Sequence, residues 1–169
     1  MGKQAEFSKL YDKYINKIYR FIFLKVNSAE TAEDLTSETF LRGWRSFEKG
    51  KEIDNFQAFL YRIAHNLIVD FYRNKDKVKV VSAENSGPLP DPQPDPEEKA
   101  KNDSDILLIR QALAELKEDY QNIIILHYIE DLPVQDIAQI TGKSEGNTRV
   151  MLHRALNALK KQLEKTTLV

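Results

Sequence analysis

Pro133-Val134-Gln135-Asp136-Ile137-Ala138-Gln139-Ile140-Thr141-Gly142-Lys143-Ser144, continuing through Asn147 and Arg149 to His153-Arg154-Ala155, reads as two short helices broken by one turn, a helix-turn-helix. Ile137, Ala138 and Ile140 give the first helix an apolar stripe. Gly142 tolerates the left-handed conformation that ends it, and the Ser144 hydroxyl suits the N-cap of the next. In that second helix Thr148, Leu152, Ala155 and Leu159 recur at spacings of four, three and four, one inward face. Its outward face carries Asn147, Arg149, His153 and Arg154, groups able to reach phosphates and base edges in a major groove. A plain αα-hairpin with a solvated basic face has the same pattern.

Working outward, the 169 residues suffice for one ordinary domain or two small ones. Composition, 41% apolar and 30% charged, is that of a soluble globular protein, and no apolar run approaches the ~20 residues that cross a bilayer. The polar N-terminus MGKQAEFSKLYDKY is unlike a secretory signal. Without cysteine there is neither disulfide nor thiolate metal site, in keeping with a cytoplasmic location. The net charge of −1 conceals an asymmetry. Between Lys143 and Lys165 six basic residues face two acidic ones, a balance of +4, whereas between Ser82 and Asp105 seven acidic residues face two lysines, a balance of −5.

Five of the six prolines occupy alternate positions from Pro88 to Pro96 in 87–96, GPLPDPQPDP, where locked φ angles and missing N–H groups forbid helix and central strand. The expectation is an all-α protein of two small helical bundles: 1–78, an acidic Pro-rich linker over 79–102, and 103–169 with the helix-turn-helix. In the first bundle Phe7, Leu10, Tyr11, Tyr14, Ile18 and Ile22 share one helical face, 29–47 forms a second helix after the turn Asn27-Ser28, and Asn55 caps a third that runs to about Lys75. In the second, helices are expected over 104–116 and 119–129 ahead of the helix-turn-helix.

The third helix is expected to pack Phe56, Leu60, Ile63, Leu67 and Phe71 inward, leaving Tyr61, Arg62, His65, Asn66, Tyr72 and Arg73 outward. Aromatic rings beside cationic and amide groups suit unpaired bases better than a duplex. Taken alone, the pattern fits better a long amphipathic helix whose Tyr and Arg stems cover core edges. The polar loop 47–54 before it could wall a pocket for an extruded base or be a simple connection. On the second helix Glu30, Glu33, Asp34, Ser37, Glu38 and Leu41 form an acidic stripe with one exposed leucine, wrong in sign for DNA and suited to a basic protein surface; helix-dipole complementarity accounts for the first two.

Taken together these segments resemble the extracytoplasmic-function sigma factors, promoter-specificity subunits of bacterial RNA polymerase. The stretch Ala32-Glu33-Asp34-Leu35-Thr36-Ser37-Glu38-Thr39-Phe40-Leu41-Arg42-Gly43-Trp44 is similar to the family's polymerase-binding helix, Phe56 to Arg73 to its −10 helix, and Ser144 to Ala155 to its −35 helix. The resemblance implies that Asp34, Ser37, Glu38 and Leu41 meet core RNA polymerase, that Tyr61, Arg62, His65, Asn66 and Arg73 handle the melted −10 strand, and that Ser144, Glu145, Asn147, Arg149, His153 and Arg154 lie at the −35 duplex. It further implies promoter DNA and an anti-sigma factor as partners, with no cofactor, and a linker lying in the polymerase's RNA path. Ser37 stands where the family commonly has Gln, Phe59 where it has Trp, Pro133 where it has a capping Ser or Thr, and Asn147-Thr148 where it has Thr-Val. The competing reading is a duplex-binding regulator whose first bundle dimerises or binds a ligand; it leaves the acidic stripe and the Tyr/Arg/Asn face unassigned. An enzyme is disfavoured, because His65, His127 and His153 fall in different elements and no phosphate loop, HExxH or nucleophile elbow occurs.

Overall fold

A computed structural model describes residues 2–79 and 108–167, and every regular element in them is helical. Contacts divide the chain into two units, Met1–Pro92 and Gln93–Val169. Nearly all of the expected linker, including its acidic residues, lies outside the described residues.

In the first unit α1 (Lys3–Val26), α2 (Ala29–Glu48) and α3 (Phe56–Lys79) pack pairwise against one another. Local chemistry sets their boundaries. Asn27 takes a left-handed conformation, φ 55°, and the Ser28 hydroxyl accepts the Thr31 amide at 3.3 Å, so one helix stops and the next starts within two residues. Gly50, with φ +78°, turns the chain after α2, and Asn55 Oδ1 accepts the Ala58 amide at 3.1 Å to open α3. Beyond the expected end near Lys75, α3 continues to Lys79, the position at which the linker was expected to begin.

Tyr14, Ile18, Phe21 and Ile22 of α1 meet Ala32, Thr36, Thr39 and Phe40 of α2 and Leu60, Ala64, Leu67 and Ile68 of α3 in the buried core. Thr36 and Thr39 are buried without loss because their hydroxyls donate to the carbonyls of Ala32 and Leu35. At one end Phe7 touches the rings of Trp44, Phe47 and Phe56 with centroids 5.2 to 5.9 Å apart. Gly43 lets α2 and α3 approach: a Cβ there would stand 3.1 Å from Leu60 Cδ2. Tyr11, expected in the inward stripe, remains 42% exposed and only leans an edge on Phe40.

The second unit holds α4 (108–114), α5 (Glu118–Ile124), a π-helical turn (Ile125–Ile129), α6 (Val134–Thr141) and α7 (Glu145–Thr167). The expected 119–129 helix therefore changes pitch midway. Asn122, Ile123, Ile124, Ile125 and Leu126 are all buried, more than one full turn, so the helix is enclosed on every side there; the wider turn that follows is closed by Glu130 N–H bonded to the Ile125 carbonyl at 2.9 Å. Asp131 then adopts φ 57° and His127 Nδ1 lies 3.0 Å from the Leu132 carbonyl, closing the corner that leads into α6.

Candidate nucleic-acid interface

The helix-turn-helix has the local chemistry its sequence specifies. Pro133 stands at the N-cap of α6 with no side-chain hydrogen bond, its carbonyl accepting the Ile137 amide at 3.1 Å. Gly142, at φ 71°, ends α6, and Ser144 Oγ accepts the Asn147 amide at 3.1 Å to start α7. Ile137, Ala138 and Ile140 are buried from α6, while Thr148 and Ala155 are buried from α7. Thr148 thus faces the core, where its hydroxyl donates to the Ser144 carbonyl at 2.8 Å, so the Thr148 departure from the family pattern falls in the packing rather than on the outer surface.

That burial turns Glu145, Asn147, Arg149, His153 and Arg154 to the exposed side of α7, with Ser144 exposed at its start. Arg149 reaches back 3.4 Å to Glu145, an exposed i,i+4 pair that holds the guanidinium over the first turn yet is weak enough to exchange for a phosphate. A recess of roughly 220 Å³ opens beside this face, lined by Tyr120, Lys143, Asn147, Val150, Met151 and Arg154. Lys143, whose ammonium is 3.9 Å from Asp119, and Arg154 make it cationic. The sequence reading missed Tyr120, which arrives from a distant helix, and it missed Val150. Position 150 lies off the 148/152/155/159 stripe, so the signal for an exposed valine was present.

On α3 the structure separates the expected set. Arg62, Asn66 and Arg73 lie exposed along one stripe, and His65 is half-buried at its margin. Tyr61 is a correction: expected outward, it is fully buried, its ring 5.4 Å from that of Phe21 at 69°. The reason is rotational. Ala58, Ala64 and Ile68 are buried along with Leu60 and Leu67, which swings the apolar face toward position 61 and makes Ile63 and Phe71 its half-buried edges. Tyr72 is likewise partly buried, its hydroxyl donating to the Lys25 carbonyl across to α1. Phe59 is half-buried, with Lys51 Nζ over its ring at 5.7 Å, which ties the 49–55 loop to α3.

On α2 Glu30, Glu33, Asp34, Ser37 and Leu41 are exposed on one face, as the spacing predicts. Leu41 is 43% exposed, and Glu38 beside it is paired with Arg42 at 2.9 Å. Among the described residues no cluster of His, Cys, Asp or Glu could hold a metal ion, and no helix is long and apolar enough to cross a membrane.

Comparison with known proteins locates both units. Residues 10–78 match the family described as sigma-70 region 2, and residues 106–159 match sigma-70 region 4. RNA polymerase sigma factor SigV of Bacillus subtilis is 31% identical over 89% of this chain and 86% of its own length. ECF RNA polymerase sigma factor SigL of Mycobacterium tuberculosis is 31% identical over 92% of this chain and 87% of its own. ECF RNA polymerase sigma factor BldN of Streptomyces coelicolor is 30% identical over 96% of this chain, which spans 62% of that protein's length. In fold, the chain resembles the sigma factor RpoE solved with the anti-sigma factor NepR from Bartonella quintana, with a TM-score of 0.71 and 23% identity over 94% of this chain and 97% of that one. With two family models matching in order along one chain, and relatives similar over most of their length, the chain belongs to the extracytoplasmic-function sigma factors of the sigma-70 family.

Proposed function

We propose that this chain is a promoter-specificity subunit which binds core RNA polymerase, recognises −35 and −10 promoter DNA and promotes strand opening in the cytoplasm, with no catalytic chemistry of its own. The observation that carries the reading is the pair of unlike exposed surfaces in separate units: a capped helix bearing Asn147, Arg149, His153 and Arg154 in one, and the exposed Arg62/Asn66/Arg73 stripe of α3 in the other. The first suits duplex DNA, where cations neutralise phosphates and a few side chains reach base edges. The second suits unpaired strand, where an amide bonds exposed base edges while arginines follow the backbone. Ligands that bind only separated strands shift the equilibrium toward opening without nucleotide hydrolysis.

Asp34, Ser37, Glu38 and Leu41 are proposed to dock on core polymerase. The exposure of Asp34, Ser37 and Leu41 supports this, since a leucine left 43% exposed inside an acidic stripe suits a basic surface that has an apolar pocket. An anti-sigma factor is the proposed regulatory partner, supported by the fold's likeness to the sigma factor RpoE solved with the anti-sigma factor NepR. Run-off transcription from a promoter library, with core polymerase and with or without the chain, tests the reading. Arg149→Ala and Arg154→Ala are expected to lose duplex anchoring, and Asn66→Ala to keep anchoring but lose opening. Absence of binding to core polymerase at low salt overturns it, and would leave the duplex-binding regulator standing.

A further inference from the structure

We propose that Val150 reads the C5-methyl group of a thymine in the −35 duplex and so sets one base preference of this protein. The inference rests on the −35 role of α7 proposed above and adds to it a residue that neither the motif nor the charge pattern marks. Val150 is 49% exposed near the middle of the face that carries Asn147, Arg149, His153 and Arg154. At about 100° per residue it stands roughly 200° around the helix from Thr148, which is buried, so packing does not account for it. Nor does helix propensity, since a β-branched side chain is a poor choice at an exposed helical position.

Chemistry narrows what such a group can meet. The neighbouring groups on the face are an amide, an imidazole and guanidinium groups, each matched to acceptors or donors of base edges and phosphates. Val150 supplies the apolar contact, and the apolar feature that unmodified DNA displays in the major groove is the thymine methyl. Several details favour a close approach. The β-branch locks χ1 in a helix, so the two methyl groups of Val150 are held still. Gly146, one turn before it, has no side chain, and nothing lies within 4 Å of where a Cβ would be. The recess beside Val150 is bounded by Lys143 and Arg154, which can hold the flanking phosphates while the base edge sits against the valine. Asn147, three residues earlier and adjacent on the same face, has the geometry to bond adenine N6 and N7. An A·T pair satisfies both side chains.

The test uses the full chain bound to core polymerase and duplexes selected from a randomised −35 region. Each thymine of the selected sequence is replaced in turn by deoxyuridine, which removes only the methyl group. Wild type is expected to lose about fourfold in affinity at one position, the factor that corresponds to one buried methyl-sized group, and Val150→Ala to show less than a twofold loss there while retaining its helix content and its affinity for core polymerase. Overturning results are a wild-type protein indifferent to deoxyuridine at every position, or a Val150→Ala protein that loses as much as wild type. A protein that selects no duplex at all while binding core polymerase removes the −35 reading itself, which the run-off assay registers independently.

Discussion

Replacing Tyr61 and replacing Asn66 should give two different failures, although they lie on the same helix five residues apart. Tyr61 is fully buried against Phe21, so Tyr61→Ala leaves a ring-sized hole in the core and should cost about 3–5 kcal/mol, seen as a lower urea midpoint for the N-terminal unit. Asn66 is exposed, and Asn66→Ala should change stability by no more than about 0.5 kcal/mol while abolishing promoter opening, read with a permanganate footprint on unpaired thymines. Equal loss of stability in the two variants would contradict the placement of both. Arg149 and Arg154 divide from these on ionic strength. If each neutralises one phosphate, Arg149→Ala and Arg154→Ala should each lower the slope of log affinity against log salt by about 0.9 on duplex DNA. An unchanged slope with weaker binding would mean that the lost contact was to a base edge.

The same distinction between packing and contact recurs along whole helices. In α7 the Ser144 cap starts the recognition helix, so Ser144→Ala should destabilise the C-terminal unit by about 1 kcal/mol and weaken duplex binding through fraying of the first turn, whereas Ser144→Asp should retain stability. Thermal melts of the two variants check this. In α2 the opposing faces separate cleanly: Gly43→Val drives side-chain atoms toward Leu60 and should cost about 1–3 kcal/mol through overpacking, while Leu41→Ala, on the outer face, should leave the melt unchanged and weaken core polymerase binding. The helix starts and stops at Asn27-Ser28, Asn55, Gly142 and Ser144 were legible in the sequence, because capping depends on one side chain and its own next turn. The rotation of α3 was not legible. Tyr61 is amphipathic and sits at the edge of the periodic stripe, and its burial depends on Phe21, forty residues earlier. The π-turn at Ile125–Ile129 was hidden for a related reason, since an unbroken apolar run has no period from which a pitch can be read. Of the candidate site, the exposed cations and amides were found by spacing, and Val150 was passed over because the outward face was read from its charged and polar groups alone.

At the scale of the molecule, the proposed function puts two different nucleic-acid chemistries on one chain, and the stretch expected to join them, 24 residues over 79–102 of which Lys79 still belongs to α3, is rich in proline and acidic side chains. Fully extended it reaches at most about 79 Å, somewhat over two turns of duplex at ~34 to 36 Å each. Tethering makes the second element's capture intramolecular, and its effective concentration falls only as about the −3/2 power of linker length. Doubling the linker with 24 Gly/Ser residues should therefore weaken holoenzyme binding to a promoter carrying both elements by no more than about threefold. Deleting 88–96 has the opposite character, because it sets a hard limit: the remaining 15 residues extend to about 50 Å, roughly one and a half turns. For elements farther apart than that, the deleted protein should bind a two-element promoter no more tightly than a promoter carrying either element alone, and moving the elements closer should restore the advantage. A filter-binding series over promoters of graded spacing reads both variants together. If the deletion keeps the full two-element advantage at every spacing, the two units do not engage their elements simultaneously through this linker.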